Sequence, residues 1–279
     1  MTRAEGRVFD EAVAGATVAA FRKAELELPD DVLLALTRAR ANETDPVAQS
    51  ELDNILENIA VARRLNVPLC QDTGVPVVYL TLPPHIPLSR GIVRAVEEGV
   101  RRATDEIPLR PNVVDPCSRK NSGDNTGQGM PAVHVSPGDR FTITVLPKGA
   151  GSENVSRSAM LLPGDRDAIE RFVVETMLLA GGKPCPPVIL GVGIGSTFDG
   201  VAALAKKALL LPLEPATAYE QALTGAVNAL RIGPMGLGGD TTALAVKVMK
   251  AACHTASLPV AVNVQCWAAR HATVEVEIP

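Results

Sequence analysis

The sequence predicts an α+β fold, with a helical N-terminal subdomain over residues 1–66 and a mixed sheet with flanking helices over residues 67–279. Apolar residues recur at helical spacing through most of the first 66 residues. In the remainder, β-branched runs alternate with further helical stretches. Aromatic residues make up 3% of the chain and hydrophobic residues 46%, so the core must be built mainly from Ala, Val, Leu and Ile.

Prolines mark the helix boundaries of the N-terminal part. Pro29, followed by Asp30 and Asp31, predicts the start of one helix. Pro68 predicts that the next helix ends near Asn66, because the residue before a proline disfavours helical backbone. The apolar face of that helix is formed by Leu52, Ile55, Leu56, Ile59 and Ala62.

The remainder is predicted to alternate between strands and helices around one long polar loop at 108–131. The segments 132–136 and 141–147 are joined by PGDR and are interpreted as a hairpin. The other predicted strands are 75–82, 188–195, 243–249, 259–265 and 272–278, and the other predicted helices are 89–105, 165–180, 198–209 and 216–230.

Composition excludes several classes of protein. The net charge is −4 and the calculated pI is about 5.7, which argues against binding of nucleic acid or of a membrane surface. No apolar run approaches the roughly 20 residues of a membrane span, and the charged N-terminus carries no signal peptide, so we expect a cytoplasmic protein. The five cysteines are odd in number and widely spaced, which is not the pattern of a disulfide framework.

Two polar segments are candidates for chemistry. The motif at 70–74, CQDTG, sets a thiol, an amide, a carboxylate and a hydroxyl side by side at a predicted helix-to-strand junction, although an ordinary Asp-Thr-Gly turn explains the same residues. The long loop contributes Arg110 and Arg119, and arginine binds carboxylates through paired hydrogen bonds. The alternative for this loop is a solvated surface segment.

Glycine-rich segments follow. In KGAGSEN at 148–154, glycines allow N–H groups to approach an anion, or serve a strand-to-helix turn. Cys185 is held among prolines on rigid backbone, which suits either a fixed ligand or a buried structural cysteine. The glycines of 191–195 imitate a dinucleotide fingerprint with the wrong spacing, and close packing explains the turn at 232–239.

His254 and Cys266 raise the question of a metal. Zinc ligands usually come in closely spaced pairs, which are absent here. Three isolated cysteines far apart in the sequence fit an iron–sulfur cluster better. A cluster held by only three thiolates leaves one iron open, which makes it a Lewis acid rather than an electron carrier.

Together these motifs resemble the class I, iron–sulfur-dependent fumarate hydratase family, and within it the alpha subunit of the two-subunit form and of the related L(+)-tartrate dehydratase. The similarity runs from about residue 50 to the end of the chain. The motifs occur in the family's order: CQDTG at 70–74, DP…R…NSGDNTG at 115–127, KGAGSEN at 148–154, CPP at 185–187, GVGIGST at 191–197, IGPMGLGG at 232–239 and CWAARHA at 266–272.

The resemblance implies a 4Fe-4S cluster with one open iron site, held by Cys70, Cys185 and Cys266. It assigns no role to Cys117 and Cys253. The catalytic residues that it implies are Asp72 and His254. The implied substrate-binding residues are Gln71, Asp72, Arg110 (with Arg119 as the competing arginine), Gly149, Gly151 and His254.

The implied reaction is the reversible hydration of fumarate to L-malate, a step of the tricarboxylic acid cycle. In this family the proton-abstracting base lies in a second domain. We therefore expect a beta subunit, an α2β2 assembly and no activity of this chain alone. KGAGSEN and LPVAVN favour fumarate as the substrate, whereas NTGQGMP and CWA favour tartrate. The alternatives outside this class are a redox iron–sulfur protein with Cys117 or Cys253 as a fourth ligand, and a non-catalytic protein with buried cysteines.

Overall fold

The structure is a computed structural model that describes residues 3–165 and 167–278. It confirms the predicted α+β fold. The helices are α1 (Arg3–Leu26), α2 (Asp30–Asn42), α3 (Pro46–Leu65), α4 (Arg90–Glu106), α5 (Ala150–Glu153), α6 (Ala168–Ala180), α7 (Phe198–Ala208) and α8 (Ala218–Asn228). The strands are β1 (Val75–Leu82), β2 (Ala132–Pro137), β3 (Thr142–Lys148), β4 (Arg157–Leu161), β5 (Val188–Ile194), β6 (Ala243–Lys250), β7 (Leu258–Gln265) and β8 (Ala272–Glu275).

The chain divides into two compact units. The first contains residues 3–29, 59–148 and 270–278, and the second contains residues 30–58 and 149–269. The helical subdomain predicted over residues 1–66 stays a prediction; in this division α1 lies in the first unit and α2 in the second. The reason is packing, because α1 lies against α4, β3 and β8, whereas α2 contacts β6.

The first unit is a four-stranded sheet with the strand order β2-β1-β3-β8, packed against α1 and α4. Its core combines buried residues of the helices with alternate residues of β1 and β3. Gly99 allows the two helices to approach closely, because a Cβ at this position would lie 2.5 Å from the Thr17 Cβ.

The predicted hairpin around PGDR is wrong. β1 lies between the two strands, parallel to β2 and antiparallel to β3. The connection crosses the end of β1, where Gly138 N donates to the Leu82 carbonyl at 3.0 Å. A Cβ on Gly138 would lie 2.2 Å from the Thr81 Cγ2, so glycine permits this crossing. A short connection favours adjacent strands, but here the buried β1 pairs with both of them.

The second unit is a sheet with the order β4-β7-β5-β6. The central strand β5 packs Val188, Leu190 and Val192 into a core shared with α6 and α8. The strand's glycines accommodate α7, because a Cβ would lie 2.1 Å from the Ala205 carbonyl oxygen at Gly191 and 2.3 Å from the Val201 carbonyl oxygen at Gly193. Close helix–strand packing therefore accounts for these glycines.

Candidate active site

The Cys70–Gly74 segment leads into β1 in the first unit, and its end is fixed by a turn at Gly74. Gly74 adopts φ +73°, and a Cβ there would lie 2.6 Å from Lys148 N. Gly74 N donates to the Asp72 Oδ1 at 3.0 Å. Cys70 and Asp72 are half-buried and Gln71 is exposed. The motif thus requires glycine at its end, while Gln71 stays accessible and Cys70 and Asp72 stay partly accessible.

Thr73 joins the long polar loop to this segment. Arg110 N donates to the Thr73 Oγ1 at 3.0 Å, and Asn112 Nδ2 donates to the Gly74 carbonyl at 2.9 Å. Asn125 is buried and braces the same stretch, because its Nδ2 donates to the Arg110 carbonyl at 3.1 Å and its Oδ1 accepts from Asn112 N at 2.7 Å. The fold therefore sets Arg110 beside the cysteine segment.

Arg119 lies in a separate, exposed turn of the same loop. The Asp115 carboxylate accepts from the N–H groups of Cys117 and Ser118 at 3.1 and 2.7 Å. The hydrogen bonds from Ser118 lower the pKa of Asp115. Arg119 adopts φ +60°, and its N–H donates to the Asp115 carbonyl at 3.0 Å. Of the two candidate arginines, Arg110 is the one that the described hydrogen bonds tie to the cysteine segment through Thr73.

In the second unit, the segments of Cys185 and Cys266 are hydrogen-bonded to each other. Trp267 N donates to the Cys185 carbonyl at 3.2 Å, and Cys185 N donates to the Gly182 carbonyl at 3.1 Å. Cys185 adopts φ +53°, a left-handed conformation that costs a non-glycine residue about 1–3 kcal/mol. Such strain is concentrated at functional sites. Cys185 is exposed and Cys266 is half-buried.

Two further motifs pack beside Cys185. Met235, in the glycine-rich turn at 232–239, donates its N–H to the Pro186 carbonyl at 2.8 Å. A Cβ on Gly236 would lie 2.5 Å from the Gly182 Cα, so the two turns touch backbone to backbone. A Cβ on Gly151 would lie 3.4 Å from the Lys183 carbonyl oxygen, which places the KGAGSEN segment here as well. Gly149 is buried just before α5.

A buried carboxylate, which the sequence analysis did not identify, fixes the end of the glycine-rich turn. Glu43 Oε2 accepts from the N–H groups of Asp240 and Thr241 at 2.8 and 3.2 Å. Its Oε1 accepts from Thr44 N and Asp45 N at 3.0 and 3.1 Å. These hydrogen bonds from backbone N–H groups offset the free-energy cost of burying the Glu43 carboxylate.

His254 lies in the connection between β6 and β7, where its Nδ1 accepts from Ala256 N at 3.1 Å. Cys266 directly follows the other end of β7. At about 3.3 Å per residue, this eight-residue strand spans roughly 26 Å. The second unit therefore brings Cys185 and Cys266 together but not His254, whose catalytic role stays a prediction. Cys253, one residue before His254, lies at the same distant end.

The sequence analysis also missed a buried ion pair in the first unit, formed by Glu25 and Arg270. Arg270 Nη1 donates to the Glu25 Oε2 at 2.8 Å, and Arg270 Nη2 donates to the Asp72 carbonyl at 2.6 Å. Burial raises the pKa of Glu25 to about 7, although Arg270 opposes this shift. Arg270 belongs to the CWAARHA motif, whereas Glu25 lies in α1 with no local pattern that singles it out.

The donor chemistry of the three predicted ligands fits an iron–sulfur cluster, since cysteine thiolates are the usual ligands. Cys70, Cys185 and Cys266 are all half-buried or exposed and lie outside helices and strands. Among the described residues, no group of three or more His, Cys, Asp or Glu side chains is arranged to hold a metal ion. The fit therefore rests on ligand type and accessibility, and not on an assembled site.

Comparison with known proteins places this chain in a family. A family model described as fumarate hydratase (Fumerase) matches residues 14–275. The chain is 44% identical over 279 residues to a putative L(+)-tartrate dehydratase subunit alpha of Methanocaldococcus jannaschii, an alignment that covers 95% of this chain and 98% of the relative. It is 33% identical over 257 residues to the L(+)-tartrate dehydratase subunit alpha of Escherichia coli K12, covering 88% and 85% of the two chains.

These matches define the chain as a hydro-lyase. It belongs to the fumarate hydratase family, and the predicted resemblance to the family's alpha subunits is confirmed. None of the helices within residues 3–165 and 167–278 is both long and apolar enough to span a bilayer.

Proposed function

We propose that this chain is the alpha subunit of an iron–sulfur-dependent hydro-lyase that catalyses the reversible hydration of fumarate to L-malate. The observation that carries this proposal is the hydrogen bond from Trp267 N to the Cys185 carbonyl, at 3.2 Å. It joins two of the three predicted ligand segments, whose cysteines lie 81 residues apart, and Cys185 is exposed with a left-handed backbone conformation. Family membership supplies the reaction class.

Cys70, Cys185 and Cys266 would hold a 4Fe-4S cluster with one open iron site. When bound, such a cluster supplies a Lewis acid that eases the departure of hydroxide from malate. The chain's own residues bind and orient the substrate. Arg110 is the arginine proposed to pair with a substrate carboxylate, because its backbone N–H is hydrogen-bonded to Thr73, three residues after Cys70.

The remaining substrate contacts are proposed for Gln71, Asp72 and the N–H groups of Gly149 and Gly151. Gln71 and Gly151 are exposed and Asp72 is half-buried, so each is at least partly accessible to a ligand. Gly149 is buried. Arg119 is the less favoured arginine. For His254 we keep the predicted catalytic role as a separate hypothesis, because β7 separates it from Cys185 and Cys266.

We further propose that a beta subunit carries the proton-abstracting base, that the assembly is α2β2 and that the enzyme works in the cytoplasm as part of the tricarboxylic acid cycle. The names of the relatives, each a subunit alpha, support a beta partner. The chain alone is therefore expected to bind its cluster without catalysing malate dehydration.

Iron content and activity test this proposal together. Anaerobically reconstituted protein should hold about four irons per chain, and malate dehydration should appear only when the beta subunit is added. Cys185→Ser should lose iron and activity. Cys117→Ser is the matched control, since Cys117 is exposed in the long loop and is not a ligand in the proposed hydro-lyase, although it could be the fourth ligand of the redox alternative. Equal iron content in the two variants would contradict the ligand assignment.

L(+)-tartrate is the second candidate substrate, because the compared relatives are named for it. The ratio of kcat/KM for malate to that for L(+)-tartrate, measured with the reconstituted pair of subunits, decides between them. A ratio above one supports the fumarate hydratase assignment. A cluster spectrum that neither substrate changes would instead favour a redox protein.

A further inference from the structure

The ion pair between Glu25 and Arg270 is almost completely buried. The side chains are 0% and 1% exposed, and the Arg270 Nη1 lies 2.8 Å from the Glu25 Oε2. Charged residues are rarely buried to this extent, because removing two charges from water is unfavourable. Apolar residues of similar volume would often stabilise a fold equally well or better. The pair therefore calls for an explanation other than stability.

Both residues of the pair contact the segment around Cys70, Glu25 through its main chain and Arg270 through its side chain. The Glu25 main-chain carbonyl accepts from Leu69 N at 2.9 Å. Arg270 uses its second terminal nitrogen, Nη2, to donate to the main-chain carbonyl of Asp72 at 2.6 Å. Leu69 and Asp72 flank Cys70 and Gln71, so the main chain is held on both sides of these two residues.

The geometry favours arginine specifically. A guanidinium presents several N–H donors in a fixed plane, so one side chain can bond Glu25 and the Asp72 carbonyl at the same time. Glu25 in turn fixes the orientation of that plane. Asp72 Oδ1 also accepts from Gly74 N at 3.0 Å, so hydrogen bonds connect Arg270 through Asp72 to the residue before β1.

We propose that Glu25 and Arg270 are positioning residues that hold the Cys70–Asp72 segment in the conformation that binds the cluster and the substrate. This inference rests on the proposed function for what the segment binds. The structural part, that Arg270 held by Glu25 immobilises Asp72 and its neighbours, stands on the two side-chain hydrogen bonds alone. The bond from Leu69 N to the Glu25 main chain does not depend on the ion pair. The two parts can therefore be tested separately.

The test uses three variants of the full chain, each combined with its beta subunit. Glu25→Leu together with Arg270→Met replaces the ion pair by apolar side chains. Arg270→Lys keeps the charge but loses the planar fork. Arg102→Met is the control, because Arg102 forms a partly exposed ion pair with Glu11 at 2.7 Å in the same unit, away from this segment.

Four quantities are measured: the free energy of unfolding, amide hydrogen exchange at residues 69–74, the rate at which reconstituted iron is lost in air, and KM against kcat. In the double variant we expect stability close to that of the control and exchange at 69–74 accelerated by about tenfold or more. Iron loss should be faster and KM higher. Arg270→Lys should fall between the double variant and the wild type.

Two results would overturn the inference. One is a double variant whose exchange, iron retention and KM all match the wild type. The other is exchange that rises equally throughout β1 and β3, which would show general destabilisation. A wild-type chain that takes up no iron would overturn the proposed function instead, and exchange at 69–74 would still decide whether the pair immobilises the segment.

Discussion

Gly74→Ala tests whether position 74 requires glycine because of close contact with β3 as well as because of its positive φ. At φ +73°, an alanine has a left-handed conformation that costs about 1–2 kcal/mol. Its Cβ would also lie 2.6 Å from Lys148 N and 2.7 Å from the Pro147 carbonyl carbon. Both are main-chain atoms of β3 and cannot swing aside, so overpacking adds about 1–3 kcal/mol. We expect the free energy of unfolding to fall by about 3 kcal/mol in total.

Gly129→Ala is the matched control. Gly129 lies in the same unit at φ +75°, and a Cβ there would have no neighbour within 4 Å. It should therefore lose only the conformational part, about 1–2 kcal/mol. Urea denaturation of both variants, followed by circular dichroism, gives the two values. Equal losses would refute the claim that Gly74 is required by close approach to β3.

Three further predictions concern stability. Gly193→Ala should lower the free energy of unfolding by about 1–3 kcal/mol, because its Cβ would lie 2.3 Å from the Val201 carbonyl oxygen. Gly225→Ala, at an exposed position in α8 with open space around it, should instead raise the free energy of unfolding by about 0.5–1 kcal/mol. Thermal denaturation midpoints that move in the same direction in both variants would contradict this packing argument. Glu43→Gln should lower the free energy of unfolding by about 1–3 kcal/mol, because the amide loses the charge-assisted hydrogen bonds and its NH2 group would face backbone N–H groups that are also donors. Glu57→Gln, at an exposed position, is the control. A similar, negligible loss in both variants would count against the role of the Glu43 carboxylate. The pKa of Glu25 rises from 4.5 to about 7 on folding, so the folded protein binds more protons than the unfolded chain between these pH values. The free energy of unfolding should therefore fall by up to about 3 kcal/mol as the pH rises from 4.5 to 7. Glu25→Gln should flatten this pH dependence in urea titrations, and an unchanged slope would show that Glu25 is not the responsible group.

Local sequence was sufficient for most of the secondary structure. Proline and acidic residues marked the start of α2 at Asp30, and Pro68 marked the end of α3 at Leu65. The β-branched run at 75–82 became β1 with the same bounds. The elements that the sequence analysis missed, α5 and β4, are only four and five residues long. So few residues do not complete enough periods to be recognised.

Strand pairing needed the tertiary structure. The link at 138–141 is short enough for a hairpin, but a buried β1 with two pairing edges separates the strands on either side of it. The glycines of 191–195 show the same dependence, since only the position of α7 reveals why side chains are excluded there.

The sequence by itself determined the reaction class, because seven motifs in order specify a family even when each motif alone is ambiguous. It also named the three candidate cysteines. Only the tertiary structure showed that the segments of Cys185 and Cys266 are hydrogen-bonded neighbours and that His254 lies at the far end of β7. It alone revealed Glu25, whose main-chain carbonyl is hydrogen-bonded to Leu69, 44 residues further along the chain, and whose carboxylate is bonded to Arg270. The physical reason is that spacing along the chain records backbone periodicity, whereas contacts between distant segments depend on how helices and sheets pack.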